Sequence, residues 1–583
     1  MRNLQYRRKD VLSLPLHCTL LQKRNHNVLV GIQIMTSDGS NFDFIVVGGG
    51  SAGCVLANRL SADPSNSVCL LEAGANDWTP LIHIPLGVMF LIDHKKWNWN
   101  YKTKDQENAS KRQINIPRGR ALGGSSSING MVYARGNWRD YEDWANKAGC
   151  KGWSYREVLP YFKRSENNEK FTDDPLHGTG GPLNVSNIKR PNKMLQLLFE
   201  STDALQIPRR IDFNDGEQEG FGERQTTIKN GRRWSAAKAY LDPARKRPNL
   251  TILTSAIADK VIIKNGRATG IQVLHNGQPK TINAKREICI STGAIVSPAL
   301  LMRSGIGDPK ELAQHGIDVK QALPGVGKNL QDHIAASIVT QTDSIMGYGI
   351  SFKAIPKLAL QGLDYIFNRA GMVASNINEA TGYIKSKPNL DRPDIQIGFA
   401  PAVRARGGRK LVRGHGYSSN VSLMHPKSKG TITIRNADPM SSPIIDPNFL
   451  SENDDLEAMV KGIHVARQIL GSPAFDKIRG VELRPGIAAQ SDEELAQYIR
   501  DNCATVYHPV RTCAMGPLKD KMSVVDPELK VKGVEGLRVI DASVMPLQIG
   551  GNTNAPTIMI AEKASDIILG KKPLPAQVLP GDK

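Results

Sequence analysis

The segment Gly48-Gly49-Gly50-Ser51-Ala52-Gly53 has the residue types and the spacing that bind a diphosphate. Gly48 permits a tight turn, Gly50 lets the backbone approach a pyrophosphate, and Gly53 lets a helix pack close to a strand. The N-terminus of that helix supplies N–H donors and a partial positive charge. The carboxylate of Glu72 can accept hydrogen bonds from a ribose diol. The spacing therefore predicts a dinucleotide site.

A second interpretation of the same residues is a hydrolase. Gly49-Gly50-Ser51-Ala52-Gly53 also satisfies GxSxG, the nucleophile elbow, in which Ser51 would attack a carbonyl carbon. A hydrolase does not need an acid at the end of the next strand. Glu72 therefore favours dinucleotide binding.

A strand–helix–strand unit of about thirty residues must position this loop. Residues 42–47 are short, apolar and rich in β-branched side chains, so we expect a buried strand. Residues 54–60 predict a helix that Asp63-Pro64 ends, and residues 67–72 predict the second strand. The glycine loop then lies between strand and helix, as a dinucleotide site requires.

Four further segments carry longer patterns. A second glycine cluster, PRGRALGGSSSING, spans 117–130, and GAIVSPALLMRSGIG spans 293–307. TVYHPV spans 505–510 and GNTNAPT spans 551–557. By itself the second cluster is either a backbone-rich loop that contacts a cofactor or a surface loop. Taken together, the segments resemble the signature and active-site motifs of the glucose–methanol–choline (GMC) oxidoreductase family, and the resemblance runs from about residue 41 to about residue 570.

The resemblance implies FAD as the cofactor. The positions that match the FAD-contacting residues of the family are Gly48, Gly50, Ser51, Ala52 and Gly53 at the pyrophosphate, Glu72 at the ribose, Arg118, Gly119, Gly123, Gly124, Asn129, Gly130, Met131 and Val132 beside the flavin, Ala258 at the adenine, Asp541 and Ala542 near the ribityl chain, and Thr553 and Asn554 at the pyrimidine edge. Relatives that bind FAD covalently use a histidine in the second cluster, where this chain has Ile128. We therefore expect non-covalent FAD, and no metal.

The resemblance also implies two catalytic residues. His508 matches the base that takes the hydroxyl proton while hydride leaves the alcohol carbon for flavin N5. Asn552 matches the position that holds the substrate oxygen, although the nearby Asn554 could be confused with it. We expect His333 only to order a loop, and His425 and His464 have no motif support.

One residue departs from the family pattern. The family reads H-P-x-G-T after the catalytic histidine, whereas this chain has Arg511 in place of the glycine. If that position has positive φ, arginine costs stability, and if its side chain lies near the flavin, it alters the electrostatics of the site. Both alternatives stay open at this point.

The expected reaction is the oxidation of a primary, aliphatic alcohol to the aldehyde, with electrons passed to a quinone or an artificial dye rather than to NAD. Within the family, the likeness is to bacterial enzymes that oxidise aliphatic alcohols or polyethylene glycol with such acceptors, and to choline and sorbose dehydrogenases. The alternatives are therefore a choline-type or sugar and polyol dehydrogenase, an oxidase that reduces oxygen, and an FAD protein without this activity.

The expected fold class is α/β, with a Rossmann-type FAD-binding domain interleaved with an α+β substrate-binding cap. The predicted pieces are 1–40 as an N-terminal extension, 41–135, 220–335 and 515–570 as the FAD-binding domain, 136–219 and 336–514 as the cap, and 571–583 as a C-terminal tail.

Composition limits the remaining function classes. The chain has 583 residues, and no run of eighteen apolar residues occurs, so no spanning helix is expected. The net charge of +20 fits either a soluble basic surface or attraction to anionic lipid headgroups or acidic substrates. Because aromatic residues are 6% and no nucleic-acid motif occurs, nucleic acid is not an expected partner.

Seven widely spaced cysteines without a CxxC argue against a disulfide framework or a zinc site and fit a reducing compartment. The first 34 residues hold six basic residues and one acid, and a tidy start follows at Met35. We expect this segment to be a disordered extension or a mis-chosen start rather than an export signal. The expected location is the cytoplasm, with peripheral association to the inner membrane if a membrane quinone is the acceptor.

Overall fold

The computed structural model describes residues 40–403 and 414–578. Its first sheet has seven strands, and the predicted strand–helix–strand unit lies at its centre. The strand Ser40–Val47 leads into the helix Ser51–Leu60, and the chain returns as Val68–Leu71, parallel to the first strand. In spatial order the sheet reads Leu250–Leu253, Val68–Leu71, Ser40–Val47, Gln278–Ile290, Arg267–His275 and Ala256–Lys264, with Leu537–Val539 beside the end of Gln278–Ile290.

Burial explains why this part folds as it does. Phe44 to Val47 and all of Val68–Leu71 are buried, as in a parallel strand covered on both faces. The helices Ser51–Leu60 and Asn554–Ile568 contact each other. Their apolar residues and those of the helix Gly293–Arg303 join the strands in one hydrophobic core. The carboxyl ends of the central strands are therefore held rigidly, where open parallel sheets bind ligands.

The second sheet is antiparallel. In spatial order its strands are Val481–Arg484, Ile334–Thr342, His415–Leu423, Ile395–Ala400, Ala380–Ile384 and Gly220–Glu223, with Ala504–Thr505 also paired to Ile334–Thr342. The helices Met194–Ala204, Asn453–Leu470 and Asp492–Asn502 share a separate hydrophobic core with this sheet.

The remaining long helices are Trp138–Asn146, Tyr155–Ser165 and Ile355–Asn368. Smaller sheets pair Tyr101–Lys102 with Asn115–Ile116, Ile228–Lys229 with Arg232–Arg233, Ile306–Gly307 with Gln321–Ala322, Thr431–Thr433 with Ile444–Asp446, and Leu183–Asn187 with both Glu166–Asn168 and Gln225–Thr226.

The predicted α/β fold class is confirmed, since a largely parallel sheet with its glycine loop is combined with an antiparallel sheet and helices. The division into an FAD-binding domain and a cap stays a proposal, supported by the two separate cores, and both sheets lie in one compact unit. One boundary differs from the sequence prediction. Gly220–Glu223 pairs with the second sheet, because it is hydrogen-bonded to Ala380–Ile384, so the piece predicted as 220–335 begins after it. The N-terminal extension lies outside the described residues.

Candidate active site

One continuous cavity reaches from the carboxyl ends of the first sheet to the inner face of the second. Nineteen of the twenty-one predicted site residues line it; the two others are Gly53 and Gly123. The cavity therefore brings together the two glycine loops, the adenine position Ala258, the strand end at Asp541 and both predicted catalytic residues.

The first glycine loop packs directly against the second. Gly123 N–H donates to the carbonyl of Gly49 at 2.7 Å, and a Cβ on Gly124 would lie 2.7 Å from the Cα of Gly50. Gly48 has φ of 101°, which favours glycine. A Cβ on Gly50, by contrast, would meet no atom closer than 3.9 Å. The backbone of Gly50 therefore borders open space, as a group that approaches a phosphate must.

The two glycines outside the cavity wall have packing roles. A Cβ on Gly53 would lie 1.8 Å from the carbonyl oxygen of Gly48, so only glycine lets the helix approach its own loop. Gly123 has φ of 87°, and a Cβ there would lie 2.3 Å from Ser127 Oγ. Both glycines allow the loops of the cavity wall to pack closely, although neither lines the cavity itself.

The helices Ser51–Leu60, Gly293–Arg303 and Asn554–Ile568 all begin on the cavity wall. Their N-termini bring partial positive charge to one place, which suits a diphosphate. Asp541 fixes one of them, since its carboxylate accepts from Gly293 N–H at 2.8 Å. A Cβ on Gly293 would meet nothing within 4 Å, so the wall leaves room there for a bound group.

Glu72 lies at the predicted ribose position. Its two carboxylate oxygens accept N–H bonds from Gly49 at 2.9 Å and Gly74 at 2.8 Å. Burial raises the pKa of this carboxyl to about 7, although both N–H bonds oppose the shift. Each oxygen has a second lone pair, so Glu72 can still accept from a ribose hydroxyl.

His508 and Asn552 meet at the other end of the cavity. Nδ2 of Asn552 lies 3.0 Å from Nε2 of His508, and both residues line the wall. Oδ1 of Asn552 is buried and has no hydrogen-bond partner. The nearby Asn554 instead accepts a hydrogen bond from Ser51 Oγ at 2.8 Å. The structure therefore distinguishes Asn552, which contacts His508, from Asn554, which does not. Ser51 is hydrogen-bonded to an amide and not to a base, so it lacks the partner that a hydrolase nucleophile needs.

We infer that His333 sets the tautomer of His508, a role beyond the loop ordering expected from the sequence. Nε2 of His333 lies 2.9 Å from the carbonyl of Ile549, which can only accept, so this nitrogen carries the hydrogen. In the neutral ring Nδ1 is then an acceptor. Nδ1 of His508 lies 2.9 Å from it and must donate. Nε2 of His508 consequently carries the lone pair, which accepts from Nδ2 of Asn552 and would accept the proton of a substrate hydroxyl placed between them.

Backbone contacts fix the position of the His508 ring. Asp332 is buried and accepts from His508 N–H at 2.7 Å and from the Thr505 hydroxyl. Arg118 donates to the carbonyl of Tyr507 at 2.6 Å. Burial raises the pKa of Asp332 to about 6, with both hydrogen bonds and the charge of Arg118 opposing the shift. The segment before His508 is thus held from two sides.

Burial lowers the pKa of His508 well below its ordinary value of 6.5, and His333, Arg118 and Arg224 lower it further. A base must be deprotonated to act. We therefore expect the rate of alcohol oxidation to stay constant as the pH falls through 6.5, where an ordinary histidine base would lose activity. The measurement is the limiting rate of flavin reduction under anaerobic conditions across this range. A rate that halves near pH 6.5 would contradict the lowered pKa.

Arg511 combines a strained backbone with a side chain outside the cavity wall. Its φ is 75°, the region that favours glycine, and its Nη1 donates to Gln331 Oε1 at 2.7 Å. Burial lowers the pKa of Arg511 to about 10. Because Arg511 is not among the cavity-lining residues, the first of the two open alternatives, a cost in stability, is the one that the geometry supports.

This geometry gives a prediction for Arg511. Arg511→Gly should be more stable than Arg511→Ala by about 1 kcal/mol, because both lose the bond to Gln331 but only alanine keeps the strain. Comparison of the thermal unfolding midpoints of the two holoproteins measures the difference. Equal midpoints would mean that the backbone at 511 relaxes, and flavin reduction should be nearly unchanged in both.

Sequence reasoning missed the wall that the second sheet contributes. Side chains that share this inner face and the loops at its edge carry hydrogen-bonding groups into the cavity, and they are Arg224, Ser337, Asn376, Asn378, Gln396 and Asn420. Ser337 and Asn420 are paired across neighbouring strands, with Ser337 Oγ donating to Asn420 Oδ1 at 2.9 Å. Such residues are single positions on strands far apart in sequence, so no local motif marks them.

Other features bear on cofactors and location. In the part of the chain that the structure describes, no group of three or more histidine, cysteine or acidic side chains could hold a metal ion. The six cysteines within the described ranges are all free and buried. Within those ranges no helix combines the length and the apolar character needed to cross a bilayer.

The chain matches the family models for GMC oxidoreductases over residues 42–335 and 426–561. It is 45% identical to an alcohol dehydrogenase [acceptor] of Pseudomonas putida, covering 91% of this chain and 96% of that protein. It is 41% identical, with the same coverage, to an oxygen-dependent choline dehydrogenase of Rhizobium etli.

Solved structures give the same assignment. Pyridoxine 4-oxidase from Mesorbium loti is 30% identical, with a TM-score of 0.81, over 90% of this chain and 98% of that one. Formate oxidase of Aspergillus oryzae, studied for the modification of its FAD, is 28% identical, with a TM-score of 0.84, over 92% and 99%. The likeness inferred from the glycine clusters and the C-terminal motifs is confirmed.

Proposed function

We propose that this chain, which belongs to the GMC oxidoreductase family, oxidises a primary aliphatic alcohol to the aldehyde and passes the electrons to a quinone-type acceptor rather than to NAD. Family membership carries the coarser statement, that the protein is an FAD-dependent oxidoreductase acting on CH–OH donors. The observation that carries the proposal is the His508–Asn552 contact of 3.0 Å on the cavity wall, with the lone pair of His508 on the cavity side.

The residues of the cavity fit FAD. The open space at Gly50 and Gly293, the three helix N-termini and the ribose-side carboxylate of Glu72 suit a diphosphate and a sugar. We propose that the predicted cofactor residues hold FAD here without a covalent bond. FAD supplies the group that accepts a hydride from the alcohol carbon.

The remaining chemistry belongs to the chain. A substrate hydroxyl that enters between His508 and Asn552 donates its proton to Nε2 of His508 and accepts from Nδ2 of Asn552. Removing the proton avoids the protonated carbonyl that hydride loss would otherwise leave. The unpartnered Oδ1 of Asn552 gives the amide a further contact for a polar substrate. Because His508 is held neutral, it is ready to accept this proton.

The electrostatics of the cavity argue against a quaternary ammonium substrate. The acids on the described cavity wall are Glu72 and Asp541, and each is engaged by backbone N–H groups. Arg118 and Arg224 both lie close enough to His508 to lower its pKa. These arginines would therefore repel the quaternary ammonium of choline, whose binding would instead need a carboxylate or an aromatic cage. We propose an uncharged alcohol, and choline is the control substrate.

A second candidate substrate class follows from the second-sheet wall. The side chains of Ser337, Asn376, Gln396 and Asn420 each have a hydrogen-bond partner within the protein, and they keep further lone pairs or N–H groups that a plain alkyl chain would leave unused. A sugar or polyol would pair with them, whereas an aliphatic substrate would bury them at a cost in free energy. This observation favours a hydroxylated substrate as the alternative to an aliphatic one.

One experiment tests these proposals together. The purified holoprotein is mixed anaerobically with medium-chain primary alcohols, with sugars and polyols, or with choline, and bleaching of the flavin absorbance is followed. We expect an uncharged alcohol to bleach the flavin and choline to be the poorest substrate. If dithionite bleaches the flavin but no alcohol does, the dehydrogenase proposal is wrong. Turnover with a quinone analogue, compared with peroxide formation in air, distinguishes a quinone acceptor from oxygen.

A further inference from the structure

The helix Ile355–Asn368, here called the surface helix, exposes its apolar residues instead of burying them. Of its fourteen residues only Tyr365 is buried. The large apolar side chains exposed on it and just before it are Ile350 at 49%, Phe352 at 83%, Ile355 at 56%, Leu360 at 64%, Leu363 at 49%, Ile366 at 61% and Phe367 at 77%. Monomeric soluble proteins rarely leave such a group of residues in water.

The exposed residues form one face. At about 100° per residue, Ile355, Leu363, Ile366, Leu360 and Phe367 fall within an arc of roughly 140°. Tyr365, the buried residue, lies on the opposite side, so the apolar face is turned away from the protein. A helix with a wide apolar face and a polar flank is typical of segments that lie in a membrane interface.

The charges around this face are basic. The segment 350–369 has three basic residues, Lys353, Lys357 and Arg369, against one acid, Asp364, although the ammonium of Lys357 already donates to the backbone carbonyls of residues 345–347. That acid is already paired with Arg190, and Lys189 donates to the carbonyl of Asn368, which adds positive charge at the end of the helix. A second copy of the chain docking face to face would bring like charges together. An anionic surface is complementary to the face and its rim.

Two short turns connect the surface helix to the cavity wall. The helix contacts the short turn Met372–Ala374, which in turn contacts the turn Pro85–Gly87. Val88 and Met89, which directly follow that turn, line the cavity. The next residue, Phe90, is 65% exposed. The surface helix is therefore joined, through these turns, to a segment that lines the active-site cavity.

We propose that the surface helix docks the protein on the surface of an anionic lipid bilayer, with its apolar face in the headgroup region and with Lys353 and Arg369 at the lipid phosphates. The inference extends the proposed use of a quinone, because a quinone that is dissolved in the bilayer would then reach the cavity from the docked side. Lipid binding itself requires no turnover, so it is measured separately from the reaction.

The test is co-sedimentation of the full-length holoprotein with phosphatidylcholine vesicles, with and without phosphatidylglycerol. We expect binding to the anionic vesicles that weakens as NaCl is added. The double variant Phe352→Ser and Phe367→Ser should bind at least about tenfold more weakly. The matched control is Ile487→Ser with Leu518→Ser, which removes two exposed apolar side chains (73% and 76% exposed) elsewhere and should bind like the wild type.

Three outcomes would overturn the proposal: wild-type protein that stays in solution with anionic vesicles, equal binding by the Phe352 and Phe367 double variant, or a dimer in light scattering that this variant dissociates. Folding of each variant is checked by its flavin content and by its activity with a water-soluble dye, which the surface helix should not affect. If the protein binds vesicles but does not reduce a vesicle-borne quinone, the quinone proposal fails while docking stands.

Discussion

Replacement of His508 by alanine is expected to lower the rate of alcohol-driven flavin reduction by about 10²–10⁴-fold. Nε2 of His508 carries the lone pair that accepts from Nδ2 of Asn552 on the cavity wall and that a substrate hydroxyl would take over. Alanine leaves the hydroxyl proton without an acceptor while hydride departs. The measurement is the limiting rate of flavin bleaching in anaerobic rapid mixing with the alcohol that reduces the wild-type protein fastest.

His464→Ala is the matched control, because His464 is a half-exposed histidine paired with Asp492 on the surface. It should reduce its flavin at the wild-type rate, and both variants should retain FAD, since His508 is not among the predicted FAD-contacting residues. A His508→Ala protein that is fully loaded with FAD and bleaches at the wild-type rate would remove the residue from the role of base.

Replacement of His333 by leucine is expected to lower the same rate by roughly 10–10²-fold, through His508 rather than through the substrate. Leucine removes the acceptor for the hydrogen on Nδ1 of His508, which now lies 2.9 Å from His333. His508 can then move that hydrogen to Nε2, where it blocks proton transfer from the alcohol. We expect kcat to fall with little change in KM, because the loss concerns the reacting proton and not substrate binding.

Two readouts distinguish this positioning role from general damage to the fold. His333→Gln has an amide oxygen that can accept from His508 and an N–H group for the carbonyl of Ile549, so it should recover much of the lost rate. In His333→Leu the KM and the FAD content should stay near those of the wild type, because the lost contact is to His508 and not to the substrate or the cofactor. A glutamine variant as slow as leucine, or a loss of FAD in both variants, would argue for a structural role only.

The local half of the proposed FAD site could be predicted from the sequence as a strand, a glycine loop and a helix. This half is one contiguous segment that contains the strand 40–47, the loop Gly48 to Gly53 and the helix that follows. Its apolar runs and its glycines strongly favour this local conformation. Gly53 illustrates the reason, since its need for glycine arises from a contact with Gly48, five residues away. The motifs around His508 and Asn552 could be found for the same reason, as each lies within one short segment.

Only the tertiary structure shows which groups surround His508 in the cavity. His333 lies 175 residues before His508, and the carbonyl that fixes its hydrogen belongs to Ile549 on a third segment. The conformation at Arg511 likewise could not be predicted, because its φ of 75° is set by the turn in which it lies. The polar wall and the exposed face of the surface helix also depend on which strands and helices pack together. A sequence pattern reports periodicity and local conformation. The position of the hydrogen on His508 and the exposure of the surface helix depend instead on atoms that distant parts of the chain bring together.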